Sequence, residues 1–270
     1  MAGIVVVFDF DLTILDVDSD NWVIDECGAT ELFESLLPTT PWNSLMDRMM
    51  RDIHSKGRTI EDIGECLKRA PLDPHIIEAI KSAHALGCDL RVVSDANRFF
   101  IETILKHHGF LDCFSEINTN PSYVDEEGRL RILPFHDDDA TKPSHGCSLC
   151  PPNMCKGAII ERIRSSLVDE GKKKVQFIYV GDGKGDYCPS LKLSEADCVM
   201  PRKNYAAWDL ITGNMDLIKA KVHEWRDGED LQRVLLQLIH RSERLKIIMD
   251  CKHQTSSSHE ALPQALPVPH

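Results

Sequence analysis

No stretch of this chain approaches the roughly 20 consecutive apolar residues that a membrane-spanning helix needs, so nothing in it reads as an integral membrane segment. Positive charge is also scarce. The 31 Lys and Arg face 43 Asp and Glu, giving a net charge of −12 and a pI near 5.4. Such a surface repels nucleic acid and anionic membrane, and neither is expected as a partner. The opening MAGIVVVF lacks the basic segment that precedes the apolar run of a signal peptide, and Ala2 stands where myristoylation needs glycine. A cytoplasmic protein is therefore the expectation. Its ten cysteines then read as reduced thiols, with metal binding as the exception to test. There is no internal repeat. With 270 residues, 42% of them hydrophobic, the chain can bury one sizeable core and a smaller cap.

Residues 4–8 (IVVVF) form a β-branched run of the kind buried on both faces of a sheet. Similar runs cover 88–94, 175–181 and 196–200. Amphipathic helical patterns lie between them, at 75–86 (ending at Gly87), 97–109 and 156–167. Strands alternating with helices predict an α/β fold with a doubly wound parallel sheet. Residues 17–74 break this rhythm. They look helical throughout, with corners at Pro38, Pro41 and Gly57, and are expected to form an inserted helical cap. The core is then 1–16 and 75–250. Residues 116–134 resemble a β-hairpin turning at 126–128. The amphipathic stretch 228–249 is expected to pack on the core. The Ser/Pro-rich end, 251–270, is expected to be a disordered tail.

The first strand runs straight into VVVFDFDLTILDVDSD, which holds five aspartates at 9, 11, 16, 18 and 20. In open α/β sheets ligands bind beyond the carboxyl ends of the strands, so Asp9 and Asp11 face that crevice. Crowded carboxylates are tolerable around a divalent cation, and Mg²⁺ favours one or two carboxylates with water and phosphate oxygens. YVGDGKGDYCP (179–189) places a second acidic pair, Asp182 and Asp186, after another strand. Its glycines allow close backbone approach to a ligand. It is not G-x-G-x-x-G and does not open the first βαβ unit, which sets dinucleotide binding aside. SDAN places Ser94 and Asp95 at a strand end before a helix, a phosphate-binding corner. Lys156 opens a further helix and brings a cation.

Together, Asp9-Phe10-Asp11-Leu12-Thr13, Ser94, Lys156 and Asp182/Asp186 resemble the four ordered motifs of the haloacid-dehalogenase superfamily of phosphatases. The stretches FDFDLTILDVDSDNWV, PWNSLMDRMM, VVSDANRFFIE, HGCSLCPPNMCKG and YVGDGKGDYCP resemble more narrowly the phosphoethanolamine/phosphocholine phosphatase family. Its plant members are described as inorganic pyrophosphatases or thiamine phosphate phosphatase-like proteins. The likeness covers about residues 4–245. It implies a haloacid-dehalogenase-like Rossmannoid core. It also implies Asp9 as the nucleophile and Asp11 as the acid and base. Mg²⁺ would be held by the Asp9 carboxylate, the Asp11 main-chain carbonyl and Asp182, with Asp186 as a further or outer ligand. Ser94 and Lys156 would hold phosphoryl oxygens. Asp20 and Asp95 would recognise the amine of a small phosphate ester.

Phosphoethanolamine and phosphocholine are the expected substrates, because spare carboxylates suit a cationic leaving group. Thiamine monophosphate and inorganic pyrophosphate are the alternatives, the latter ranked lower because it offers no cation. A non-catalytic phosphate-binding protein is the alternative of another class. Asp16 and Asp18 read as solvated hinge residues, and Asp95 also reads as a helix N-cap. Trp22 is either a cation–π contact to a quaternary ammonium or a buried cap residue. Cys147-x-x-Cys150, Cys155 and His145 offer zinc-like ligands or a buried loop of reduced thiols. Cys188 reads as packing.

Overall fold

The structure, a computed structural model, describes residues 3–136, 145–171 and 175–257. In chain order the elements begin with β1 (Ile4–Phe8), followed by four helices: α1 (Ser19–Glu26), α2 (Thr30–Leu36), α3 (Trp42–Ser55) and α4 (Ile60–Leu67). Then come α5 (Pro74–Ala85), β2 (Asp89–Asn97), α6 (Arg98–His107), β3 (Phe114–Asn120), β4 (Ser122–Val124) and β5 (Leu130–Ile132). The chain continues with α7 (Lys156–Asp169), β6 (Gln176–Gly181), α8 (Tyr187–Ser190), β7 (Cys198–Pro201), α9 (Ala206–Gly213), β8 (Lys221–Val222) and α10 (Gly228–Ser257). Among the described residues no helix is long and apolar enough to cross a membrane.

Six strands form one parallel sheet in the order β3-β2-β1-β6-β7-β8. β1 is buried along its whole length because it lies inside the sheet, with helices on both faces. Its side chains alternate between two cores, as strand geometry requires. Ile4, Val6 and Phe8 join the apolar cluster that includes α5, α6 and α10, whereas Val5 and Val7 join the cluster built on α7. The doubly wound α/β sheet expected from the sequence is thus present.

The β1 register sets what meets at the carboxyl edge. Phe8 is level with Val92 on β2 and with Val180 on β6. The residues just beyond these positions are Asp9, Ser94–Asp95 and Asp182, so three sequence-distant segments open onto one crevice.

The helices between β1 and α5 begin and end together, since the Asp16 N–H donates to the Pro71 carbonyl (3.0 Å). α3 buries Leu45, Met46, Met49, Met50 and Ile53 along one face, and these residues merge with the core on one side of the sheet. The β4–β5 hairpin holds α3 from outside: Arg131 donates to both Asp47 carboxylate oxygens (2.8 and 2.9 Å). This hairpin is shorter than the one expected over 116–134. Residues up to Asn120 belong instead to β3, an edge strand whose polar, half-exposed pattern hides it among loop residues.

α10 packs on the core as expected, with Leu231, Leu235 and Ile239 fully buried. Its start is pinned at Gly228, where a Cβ would stand 2.3 Å from the Asp73 carboxylate. The helix continues to Ser257, so residues 251–257 are helical where a tail was expected. No proline or glycine interrupts CKHQTSS to stop it. The rest of that expected tail, 258–270, lies outside the described residues.

Candidate active site

Asp9 leaves β1 still tied to the sheet, its N–H donating to the Val180 carbonyl (2.9 Å). Its carboxylate accepts from the Phe10 N–H (2.7 Å) and from Lys156 Nζ (2.6 Å). The chain then reverses through Leu12, whose φ of +55° is unusual for a side-chain-bearing residue. The Leu12 N–H donates to the Val17 carbonyl, and Arg202 donates to the Leu12 carbonyl. These bonds hold the turn. Thr13, the last residue of the D-x-D-x-T run, donates its hydroxyl proton to Asp182 (2.8 Å).

Lys156 is buried between two carboxylates, 2.6 Å from Asp9 and 2.9 Å from Asp186. Burial works against its charge, but Asp186 and Asp9 overcome that and keep it an ammonium. Asp186 is fully subscribed. Oδ1 accepts from Tyr179 (2.6 Å) and Lys156, and Oδ2 accepts from the Asp182 and Gly183 N–H groups (3.0 and 2.8 Å). The turn requires glycine at 181, where a Cβ would meet the Asp186 carboxylate at 2.5 Å. Asp186 therefore organises the loop more readily than it enters a metal's inner sphere.

Carboxylate oxygens of Asp9, Asp182 and Asp186 come within 4.8 Å of one another. Burial, followed by the charge of Asp186, raises Asp182 to about 7. Burial, with Asp186 next, raises Asp9 well above the usual carboxylate range despite Lys156. Such crowding is what a hard divalent cation relieves, and an all-oxygen donor set fits Mg²⁺.

Ser94 is fully buried and accepts from the Ala96 N–H (3.3 Å), which leaves its own proton to donate. Asp95 lies next to it, but it is not the N-cap of α6. Asn97 is, its side chain accepting from the Phe100 N–H (3.1 Å). The Asp95 side chain instead lines a cavity of about 260 Å³ together with Asp11, Asp18, Asp20, Trp42 and Ala96.

Asp11 accepts from the Ser19 N–H at the start of α1 (2.9 Å). Burial, then Asp18 and Asp20, push its carboxyl well up. Asp20 is buried and raised to about 8, chiefly by burial and then by Asp18. One of its oxygens accepts from Trp42 Nε1 (2.7 Å) and the other is buried without a partner.

Asp18 caps α1 through the Asn21 N–H (2.8 Å), and it also lines the cavity rather than standing apart as a solvated hinge residue. Asp16 faces Arg202 at 3.6 Å. Trp22 belongs to the packing, its Nε1 donating to the Cys66 carbonyl (3.1 Å). The aromatic wall of the cavity is Trp42, held edge-on to Phe33 at 5.6 Å. Its position depends on how α3 docks, and its only sequence signal was the Pro41–Trp42 helix start.

The family model described as "Putative Phosphatase" matches residues 4–239. The chain is 62% identical to Inorganic pyrophosphatase 2 of Arabidopsis thaliana, over 88% of this chain and 84% of that protein. It is 57% identical to the Thiamine phosphate phosphatase-like protein of the same plant, over 88% and 96%. Among solved structures, a phospho-aspartyl intermediate analogue of phosphoserine phosphatase superposes with a TM-score of 0.54. It shares 18% identity across 87% of this chain and 99% of that one, a likeness of fold. The strand-end carboxylates thus sit on a fold shared with known phosphatases, and the chain belongs to the Putative Phosphatase family as a phosphatase of the haloacid-dehalogenase type.

Proposed function

We propose that the protein is a Mg²⁺-dependent phosphomonoesterase for small phosphate esters with an amine-bearing leaving group, phosphoethanolamine and phosphocholine first. The observation that carries this reading is the cavity that Asp11 opens onto. It is lined by four carboxylates and one tryptophan, and among the described residues no basic side chain lines it. The buried, unpartnered oxygen of Asp20 suits an ammonium N–H, and Trp42, which lines the same cavity, adds an aromatic ring suited to a quaternary nitrogen.

The chemistry assigned to the chain's own residues is as follows. The Asp9 carboxylate attacks phosphorus in line and becomes an aspartyl phosphate. Asp11, whose carboxyl is pushed well up by burial and by Asp18 and Asp20, gives its proton to the leaving oxygen. It then takes a proton from the water that opens the acyl phosphate. Lys156 and the Ser94 hydroxyl hold phosphoryl oxygens as charge shifts onto them. Asp9, Asp182 and the Asp11 main-chain carbonyl would hold Mg²⁺, which when bound neutralises phosphoryl charge and keeps Asp9 ionised. Residues 17–74 act as the cap that shuts this crevice to macromolecules and leaves it to small molecules. The joined entry and exit at Asp16 and Pro71 support that unit. Asp9, Asp11, Lys156 and Asp182 are all in place, which argues against a binding-only site.

Thiamine monophosphate or pyrophosphate is the second reading. A wider cavity of about 650 Å³ continues past Trp42 and Asp95 and is flanked by Arg51 and Arg131. It has room for a larger leaving group, and the names of the Arabidopsis relatives point the same way.

The test is the selectivity of Asp20→Asn between phosphoethanolamine and glycerol phosphate. Loss of the Asp20 contact, worth about 1.5–3 kcal/mol once the substrate ammonium has driven the proton off Asp20, lowers kcat/KM for the amine ester roughly 10–100-fold and spares the neutral ester. Equal loss on both substrates would remove Asp20 from amine recognition.

A further inference from the structure

Outside the carboxylate crevice, four cysteine sulfurs converge. The Sγ atoms of Cys147, Cys150, Cys155 and Cys188 all lie within 4.8 Å of one another. They come from separate places in the fold. Cys147 and Cys150 lie in the irregular loop before α7, Cys155 is the N-cap of α7, and Cys188 is on α8. Cys147 and Cys155 stand 3.6 and 3.7 Å from Cys188. Four sulfurs held about 2.3 Å from a zinc ion occupy tetrahedron corners about 3.8 Å apart. We infer that these four cysteines bind a structural Zn²⁺.

His145, the histidine expected to complete the set, is otherwise engaged. Its Nδ1 accepts from the Cys147 N–H (3.1 Å), so its Nε2 carries the proton and donates to the Pro151 carbonyl (3.1 Å). Both ring nitrogens are spent on the shape of the loop, and Cys188 takes the fourth corner. The backbone is arranged for thiolates at the site. The Ala158 N–H donates to Cys155 Sγ (3.4 Å), and the Gly157 N–H reaches Cys188. Gly157 is required there, since a Cβ would stand 2.6 Å from the Cys188 sulfur. The positive end of the α7 dipole further offsets the negative charge of a tetrathiolate site.

A disulfide would draw two sulfurs to about 2 Å and leave the other two without partners. The loop itself buries little, with Leu149 half exposed, so apolar packing does not explain why four thiols are gathered there. Four thiolates fill a tetrahedral shell, so the metal has no open position and its role is structural. What it secures is local. Cys155 precedes Lys156, and Cys188 follows Asp186 by two residues. The ion therefore staples together the two segments that carry the Lys156–Asp186 pair (2.9 Å). This inference is independent of which phosphate ester the enzyme hydrolyses.

The test is elemental analysis of the full-length protein purified without added zinc. It is followed by removal of metal under reducing conditions and reloading with Co²⁺. The expected result is one zinc per chain, and a cobalt form with the intense visible bands of a tetrahedral tetrathiolate. His145→Ala keeps its zinc and those bands, whereas Cys188→Ser loses zinc and shifts the bands. If Cys188→Ser does not fold, the wild-type metal content and cobalt spectrum decide alone. The inference is overturned by wild-type protein with neither zinc nor a tetrathiolate cobalt spectrum. Stoichiometric iron, a disulfide among these cysteines in freshly purified protein, or an unchanged cobalt spectrum in folded Cys188→Ser would overturn it equally.

Discussion

Each carboxylate at the mouth of β1 has a distinct environment, and each environment makes a separate prediction. Asp9 carries the nucleophile in this account. Asp9→Asn should cost about a thousandfold or more in turnover, with an unchanged circular dichroism spectrum, because its backbone hydrogen bond to Val180 survives. Burial and the neighbouring Asp18 and Asp20 push the Asp11 carboxyl well up, the direction a proposed general acid needs, so kcat/KM should fall as pH rises through its raised pKa. That alkaline limb should vanish with p-nitrophenyl phosphate, whose leaving group needs no proton. Asp11→Asn should accordingly cost roughly 10²–10⁴-fold on phosphoethanolamine and far less on the aryl ester. Asp20 is raised to about 8, so the folded state favours its protonated form. Its contribution to stability is complete below the unfolded value near 4 and is lost as pH rises through about 8. The melting temperature of wild type should therefore fall relative to Asp20→Asn across that window by a few degrees, as read by thermal melts at closely spaced pH values.

At the scale of elements, the β4–β5 hairpin clamps α3 from outside through Asp47. Burial opposes ionisation of Asp47, but the paired hydrogen bonds from Arg131 and the Ile132 N–H win and hold its carboxyl below the usual range. Arg131→Ala should cost about 1 kcal/mol near neutral pH, the scale of a partly screened ion pair. Because the Asp47 pKa is depressed, that difference is present above about pH 4 and disappears as pH falls further. Denaturant melts of the two proteins at pH 7 and pH 3.5 check it. The strands read from apolar runs lie inside the sheet, where double burial leaves a stretch such as IVVVF, and the β4–β5 pair was read from its hairpin turn. β3 escaped because an edge strand is half polar, and β8 because two residues carry no pattern. The strand-end acids and Ser94 were legible because parallel strands deliver their next residues to one edge, and Lys156 because it opens a helix, α7. The places of Trp42 and Cys188 were not, since docking of α3 and the turn after Asp186 set them; the Pro41–Trp42 helix start marks a helix without showing what its ring meets, and Cys188 reads in the sequence as packing.

At the scale of the whole molecule, two chemistries share one crevice. On the sheet side, Asp9, Lys156, Asp182 and Asp186 form an acid-rich pocket around one ammonium, suited to a phosphoryl group and its cation. Asp11 and Asp18 from the stretch between β1 and α1, Asp20 from α1, Asp95 from β2 and Trp42 from α3 surround a small cavity. Asp95 raises both Asp9 and Asp20 through its charge, so the two halves share one electrostatic field. A ligand that is anionic at one end and cationic at the other complements both. The most direct measurement is phosphate release with Mg²⁺ from phosphoethanolamine, phosphocholine, thiamine monophosphate, pyrophosphate and a neutral sugar phosphate, ranked by kcat/KM with Asp9→Asn as the blank. Phosphoethanolamine and phosphocholine are expected to rank first. Pyrophosphate or the sugar phosphate at the top would contradict the cationic pocket and leave only the aspartyl-phosphate chemistry standing.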